Sequence, residues 1–369
     1  MKIGIDARLL STKIRGTARY LKNILEYIPK FDNENEYFVF QYEDLPTAND
    51  FYEYIKIKKS NLPRQVYEHY WLNFVLPELI KKFGINIFFT PYVFVPFRKS
   101  GWKNVIAIHD ALTKVCKEYY TLHYRKYMDI LVPESIKRSD HIITVSESAK
   151  NDIVKFYKSN PGKITPLHLW TDEKFRPLSI DEQTKNRLIS KYQIPETFIL
   201  FVSVLEERKN PGALIKVCDN LWDRGIKINF VLIGREGFGF EKFRSEFQAR
   251  KNRILILSDI EDKDLVLIYN LAKVFIFPTF YEGFGLPPLE AMKCGIPVVA
   301  SNNSSMPEVI GEGGLMGDAT DYNFYTESII KLLNDENFYA EMKAKALIQA
   351  SKFTADSHLT KLIDIFRNL

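Results

Sequence analysis

The stretch "FYEGFGLPPLEAM" at 280–292 sets Glu282 and Glu290 eight positions apart around Gly283, Gly285, Pro287 and Pro288. It follows the apolar run "KVFIFPT", which reads as a buried strand. The glycines let the backbone turn tightly and approach a ligand. A short helix is expected to begin near Pro287 or Pro288 and to end before Gly295. Its N-terminus presents N–H groups to an anion. Glu290 is expected in the first helical turn, where the helix dipole favours a carboxylate, and there it can accept hydrogen bonds from a diol. Glu282 lies upstream and need not face the same atoms. The plainer alternative is that both acids are ordinary charges on a solvated loop, and alone the two readings weigh evenly.

Three other places carry chemistry. "VLEERKNP" (204–211) leaves a strand and enters a helix with Arg208 and Lys209 adjacent, two cations that suit a diphosphate, against the reading of a solvated basic pair. "AIHDA" puts His109 at a strand's C-terminal end, although a lone histidine is more often structural. Gly16, in "KIRGTARY", falls at the first turn of the N-terminal unit.

The elements that must position these residues follow from periodicity. "KIGID", a polar loop, the helical pattern "TARYLKNILEYI" and the strand "YFVFQY" make a strand–helix–strand unit at the start of the chain. "VIAIHD" and "HIITVS" are further strands, and Ser146 caps the helix "ESAKNDIVKFY". Residues 158–195 are rich in proline and polar residues and read as a connection between domains. The rhythm then restarts. "FILFVSVL" precedes a helix capped by Asn210, opened by Pro211 and closed at Gly225, with Leu214, Val217, Cys218 and Leu221 as its buried stripe. "INFVLIG", "RILILSD", "KVFIFPT" and "IPVVASN" follow, most of them separated by helices. Strands alternating with helices give a parallel sheet, so the expected fold is α/β, with two doubly wound Rossmann-like domains.

Composition bounds the function. A chain of 369 residues suggests two domains, and 46% hydrophobic with 26% charged residues is ordinary for a globular protein. A net charge of +5 is no nucleic-acid signature at this length. Cys116, Cys218 and Cys294 are far apart and show no zinc spacing, which reads as a reduced, cytoplasmic protein without a metal site. No signal-peptide core and no run approaching the roughly 18 apolar residues of a membrane span is seen. "RQVYEHYWLNFVLPELIKK" (64–82) and "KEYYTLHYRKYMDIL" (117–131) are rich in aromatic and basic residues. They read first as amphipathic core helices with solvated charges and second as a peripheral contact with the inner face of a membrane.

Taken together, the chain resembles the family 4 (group 1) retaining glycosyltransferases with the GT-B fold, and their mannosyltransferase-like members in particular. The resemblance is carried by "VFIFPTFYEGFGLPPLEAMKCGIPVVASNNSSMPEVIGEGG", which looks like the family's E-x7-E module. It is carried also by "VLEERKN", "VIAIHDAL", "DHIITVSESAKNDI" and "GTARYLKNIL", in the family's order. It implies an acceptor-side domain over 1–175, a nucleotide-sugar domain over 176–352, and a C-terminal helix over 353–369 that can pack back on the first domain, the two domains facing a central cleft. Glu290 would bind the donor ribose and Glu282 would lie against the donor sugar. Gly283, Phe284, Gly285 and Leu286 would offer backbone N–H groups, and Arg208 and Lys209 would neutralise the diphosphate. His109 would contact sugar and diphosphate, and Gly16 would let the N-terminal loop approach the diphosphate. Ser203 stands where many members carry an arginine, whose share Arg208 would take, and Ala18 stands at a glycine position.

The implied reaction moves a hexose, with GDP-mannose as first guess, from a nucleotide-diphosphate sugar to a glycan or lipid-linked acceptor in surface polysaccharide or glycoconjugate synthesis. It keeps the anomeric configuration and uses no metal or other cofactor. The rival is a catalytically silent nucleotide-sugar-binding or scaffold protein of the same fold.

Overall fold

The structure is a computed structural model that describes residues 1–11, 16–43, 49–97 and 101–369, without the side chains of 64 and 65. The loop ahead of Gly16, from which an approach to the diphosphate is expected, lies largely outside the described residues. The chain divides into two compact units, Met1–Leu169 with Ala355–Leu369, and Trp170–Thr354.

The first unit holds seven parallel strands: β1 (Lys2–Asp6), β2 (Glu36–Gln41), β3 (Tyr52–Lys56), β4 (Ile87–Thr90), β5 (Lys103–Ala107), β6 (His141–Thr144) and β7 (Ile164–Pro166). Their order is β3-β2-β1-β4-β5-β6-β7. The second unit holds six: β8 (Phe198–Val202), β9 (Asn229–Ile233), β10 (Ile254–Leu257), β11 (Val274–Phe277), β12 (Val298–Ser301) and β13 (Gly314–Gly317). Their order is β10-β9-β8-β11-β12-β13, again all parallel. Most of these strands are apolar runs because helices cover both sheet faces. Ile199, Leu200, Phe275 and Ile276, for example, are wholly buried.

Strand order reverses beside the first strand of each sheet, between β1 and β4 and between β8 and β11. Chains leave such a point in opposite directions, which opens a crevice beyond the C-terminal strand ends. The helix Gly16–Tyr27 buries Tyr20, Leu21, Ile24 and Leu25. The helix Pro211–Asp223 buries the expected Leu214, Val217, Cys218 and Leu221. The C-terminal helix Ala355–Arg367 buries Leu359, Leu362 and Phe366, whose ring meets Phe89 edge-on at 5.8 Å within the first unit.

Several elements differ from expectation. The stretch 158–195 is not merely connection: it supplies β7 and the helix Glu182–Tyr192, capped by Asp181. A three-residue strand has too little periodicity to be read, and its pairing with β6 decides it. The sequence "GLMG" is a strand for the same reason, by pairing with β12. Between the helices Arg64–Tyr70 and Leu76–Phe83 the backbone widens into a π-helical segment, Trp71–Val75.

Candidate active site

In the second unit, the loops after β8 and β11 meet at the switch point. The first forms a short 3-10 turn, Glu207–Lys209, and Asn210 then takes a left-handed φ of +58°. The Asn210 side chain joins three segments. Its oxygen accepts the Ala213 N–H, while its amide donates to the carbonyls of Pro278 and Ala319 at 3.1 and 2.8 Å. The Phe280 N–H donates to the Arg208 carbonyl, which ties the two loops directly. Gly234 lies under the first loop at φ +156°, and a Cβ there would stand 1.8 Å from the Ser203 carbonyl oxygen, so only glycine fits.

This scaffold brings Arg208, Lys209 and Glu282 together. The Lys209 ammonium donates to Glu282, whose second oxygen lies 3.4 Å from Arg208. Arg208 also donates to the Tyr281 carbonyl and to Glu206. Thr279 donates to Glu282 at 3.3 Å. The Glu282 backbone is fixed by Ser304 and Ser305: its N–H donates to Ser304 Oγ at 2.9 Å, and its carbonyl lies 3.0 Å from Ser305 Oγ, whose one proton it shares with the Phe284 carbonyl. Burial would raise the Glu282 carboxyl, but Lys209 and Arg208 outweigh it and hold the group below the ordinary carboxylate range. Burial lowers the Lys209 ammonium more than Glu282 restores it. The acid faces two cations, so it is ionised. It is therefore no solvated loop charge.

The helix begins at Leu286, one residue earlier than expected, and runs to Lys293. Glu290 is consequently not in the first turn. It is the fifth helical residue, only 1% exposed, and accepts the Tyr269 hydroxyl at 2.9 Å. Of the two loop glycines, Gly285 has the left-handed backbone, at φ +121°, and a Cβ there would press on Met306 at 2.5 Å. Phe284 is buried against Phe353, and its carbonyl accepts from Ser305 at 2.5 Å.

In the first unit, His109 sits beyond β5 with its ring edge-on to Tyr20 at 5.1 Å. Burial lowers it to about 4, against a bond to the Pro91 carbonyl, so it is neutral near pH 7. The Tyr20 hydroxyl lies 3.3 Å from Nε2 of His358, whose Nδ1 is 2.9 Å from the His168 carbonyl. Gly16 opens its helix in an exposed position, and a Cβ there would meet nothing within 4 Å. Among the described residues, then, no neighbour requires glycine at 16.

The sequence reading missed the supports: Thr279, Ser304, Ser305, Tyr269 and Gly234. Their types are common in loops, and only spatial proximity marks them. It also passed over Arg8, which follows β1 and is buried between Asp6 and Glu68. The acid–base pair Asp6 and Arg8 at the end of the first strand was the available signal. Among the described residues, no three His, Cys, Asp or Glu side chains are grouped to hold a metal ion, and no helix is long and apolar enough to cross a membrane.

Paired doubly wound units of this kind define the GT-B class. Anabaena HepE (Alr3699), solved with UDP and glucose, superposes with a TM-score of 0.74 at 16% identity, over 100% of this chain and 99% of that one. The model of "Glycosyltransferase Family 4" matches residues 14–175 and that of "Glycosyl transferases group 1" matches residues 183–349. The O-antigen chain mannosyltransferase B of Escherichia coli is 30% identical over 77% of this chain and 74% of its own length. The serotype-specific mannosyltransferase WbdA of Escherichia coli is 32% identical over 75% of this chain, which spans only 35% of that enzyme. The chain belongs to the group 1, family 4 glycosyltransferases, and it is a glycosyltransferase.

Proposed function

We propose that the chain transfers a hexosyl group, mannose from GDP-mannose in the first instance, from a nucleotide-diphosphate sugar to a glycan acceptor in surface polysaccharide synthesis, with retention at the anomeric carbon. The observation that carries this reading is the Arg208–Lys209–Glu282 cluster at the β8/β11 switch point, beside the N-terminus of the helix Leu286–Lys293. The mannosyl choice is supported by the names of the E. coli relatives.

The chemistry follows from charge. As the bond from C1 to the diphosphate oxygen breaks, the sugar becomes oxocarbenium-like and negative charge gathers on the diphosphate. Arg208, Lys209 and the helix N-terminus stabilise that charge without reorganising. The donor diphosphate displaces Glu282 from the two cations, and Glu282 then turns to the sugar hydroxyls. The acceptor oxygen bonds to C1, and its proton passes to the departing phosphate. His109, neutral and with its one N–H given to the Pro91 carbonyl, offers Nε2 as an acceptor to a hydroxyl of the donor sugar. Glu290 holds the ribose through its carboxylate, with Tyr269 setting its orientation. Backbone N–H groups from Gly283 to Leu286 meet the sugar and phosphate. The two side-chain cations supply the charge a divalent ion would bring, so no metal is needed.

A panel of nucleotide sugars, assayed for nucleotide release with and without EDTA, tests this. GDP-mannose should turn over, and turnover should survive the chelator. Activity lost in EDTA and restored by a divalent ion would defeat the metal-free account. Nucleotide binding without any product would indicate the silent binding protein instead.

The protein works at the inner face of a membrane in this reading. Leu62, Val66, Tyr70 and Phe74 recur every fourth residue and are 50, 53, 48 and 62% exposed, alongside Lys81 and Lys82. Apolar side chains beside bases suit an anionic surface. Cosedimentation with anionic vesicles should occur at low salt and weaken at high salt. Its absence at low salt would remove the membrane contact.

A further inference from the structure

The first unit has its own cavity, of about 520 Å³, at the switch point between β1 and β4. That is within the roughly 300–1,000 Å³ of small-molecule sites. Its polar floor is Arg8, which is 5% exposed and held by Asp6, Glu68, Trp71 and the Tyr42 hydroxyl, to which Nη1 donates at 3.2 Å. Asp6 accepts from Nε and Nη2 at 2.9 and 2.8 Å, and Glu68 lies 2.9 Å from Nη2. The guanidinium stacks on Trp71 with its carbon 3.5 Å from the ring centre. Burial opposes the charge, but Asp6 and Glu68 outweigh it and push the Arg8 pKa up. One cation between two carboxylates leaves a single net negative charge. Lys59, the other cation at the rim, is already paired with Glu43. The walls are aromatic: Tyr67, Tyr92, Phe94, Tyr124 and Tyr127. Trp71 opens the π-helical segment immediately after the helix that carries Glu68. Such segments gather at functional sites, because the widened turn re-aims the side chains around it.

We propose that this cavity binds the terminal sugar ring of an uncharged glycan acceptor and discriminates against a phosphorylated or otherwise anionic end. Ring C–H faces lie on the tyrosines, and vicinal hydroxyls donate to Glu68 and Asp6, since a carboxylate offers about four acceptor sites. Arg8 cannot recruit an anion, because its charge is already matched by two acids. The proposal deepens the glycosyl-transfer reading and rests on its acceptor being a glycan.

The test is binding by the full chain with no donor present, so that it does not depend on turnover. Calorimetry with neutral methyl trisaccharides of mannose, glucose and galactose should show saturable binding for at least one. Its terminal 6-phosphate should bind at least about tenfold more weakly, the scale of one like-charge contact near a protein surface. Glu68→Gln should narrow that preference by a similar factor. Tyr127→Ala should weaken the neutral ligand while nucleotide affinity, read from the second unit, stays intact. Tighter binding of the phosphate, an unchanged preference in Glu68→Gln, or no trisaccharide binding by a chain that still binds nucleotide would each overturn the proposal. Failure of transfer with intact trisaccharide binding would count against the proposed reaction and leave this site standing.

Discussion

The two switch points use the same topology for opposite electrostatics. Beyond β1, Arg8 lies between two acids and stacks on Trp71. Beyond β8 and β11, Arg208 and Lys209 share Glu282, and the more exposed Glu206 takes up part of Arg208. The first arrangement is closed to an added anion. In the second, a diphosphate can take both cations by displacing a single carboxylate. A crevice at a strand reversal is therefore only a location, and the ratio of cations to acids lining it selects the ligand.

The largest effect should come from removing a cation of the second site. Lys209→Ala is expected to lower kcat/KM by roughly 10²-fold or more, the scale of one preorganised stabiliser of transition-state charge. Full activity in that variant would erase the distinction between the two sites. Glu282→Gln tests the displacement idea. With the competing carboxylate neutral, nucleoside-diphosphate affinity should rise by about fivefold, while kcat falls because the sugar loses its orienting group. Titration calorimetry and steady-state kinetics on one preparation separate these. Affinity falling together with kcat would mean that Glu282 only holds the cations in place.

The last effect is on folding rather than on ligand or turnover, and it concerns acid. All six histidines lie in the first unit, at 69, 109, 123, 141, 168 and 358. His358 is 1% exposed, and burial lowers its pKa from 6.5 to about 4. Between those values the unfolded chain takes up a proton that the folded chain refuses. Stability contributed by the neutral ring is therefore present above pH 6.5 and is lost as pH falls towards 4, by on the order of 3 kcal/mol at full extent. Melting temperatures of wild type and His358→Gln from pH 7 to 4 check this. The variant's curve should be flatter, and parallel curves would refute it.

The apolar runs of β1, β5, β8, β9 and β11 and the capped helices after β6 and β8 were legible, because period and cap chemistry are local. So were the loops that carry Glu282, Arg208, Lys209 and His109, since each follows a strand. Glu290 was found but misplaced by part of a turn. The helix starts at Leu286 rather than at the prolines, which moves the carboxylate from an open helix end to a buried bond with Tyr269. The strands β3, β4, β7 and β13 were not legible, being three to five residues held by their neighbours.

By itself, then, the sequence determined most of the buried parallel strands and the site loops that extend beyond their C-terminal ends. Tertiary structure alone decided who meets whom. Lys209 and Glu282 are 73 residues apart and meet because β8 lies beside β11. Arg8 gains Glu68, 60 residues along the chain on the helix Arg64–Tyr70, as a second acid beside Asp6 only through folding. Hydrophobic period fixes which side of a strand is buried, but it carries no information on which strand lies next to it. Neighbours are chosen by the packing of whole layers, and the charge balance of each site follows from that choice.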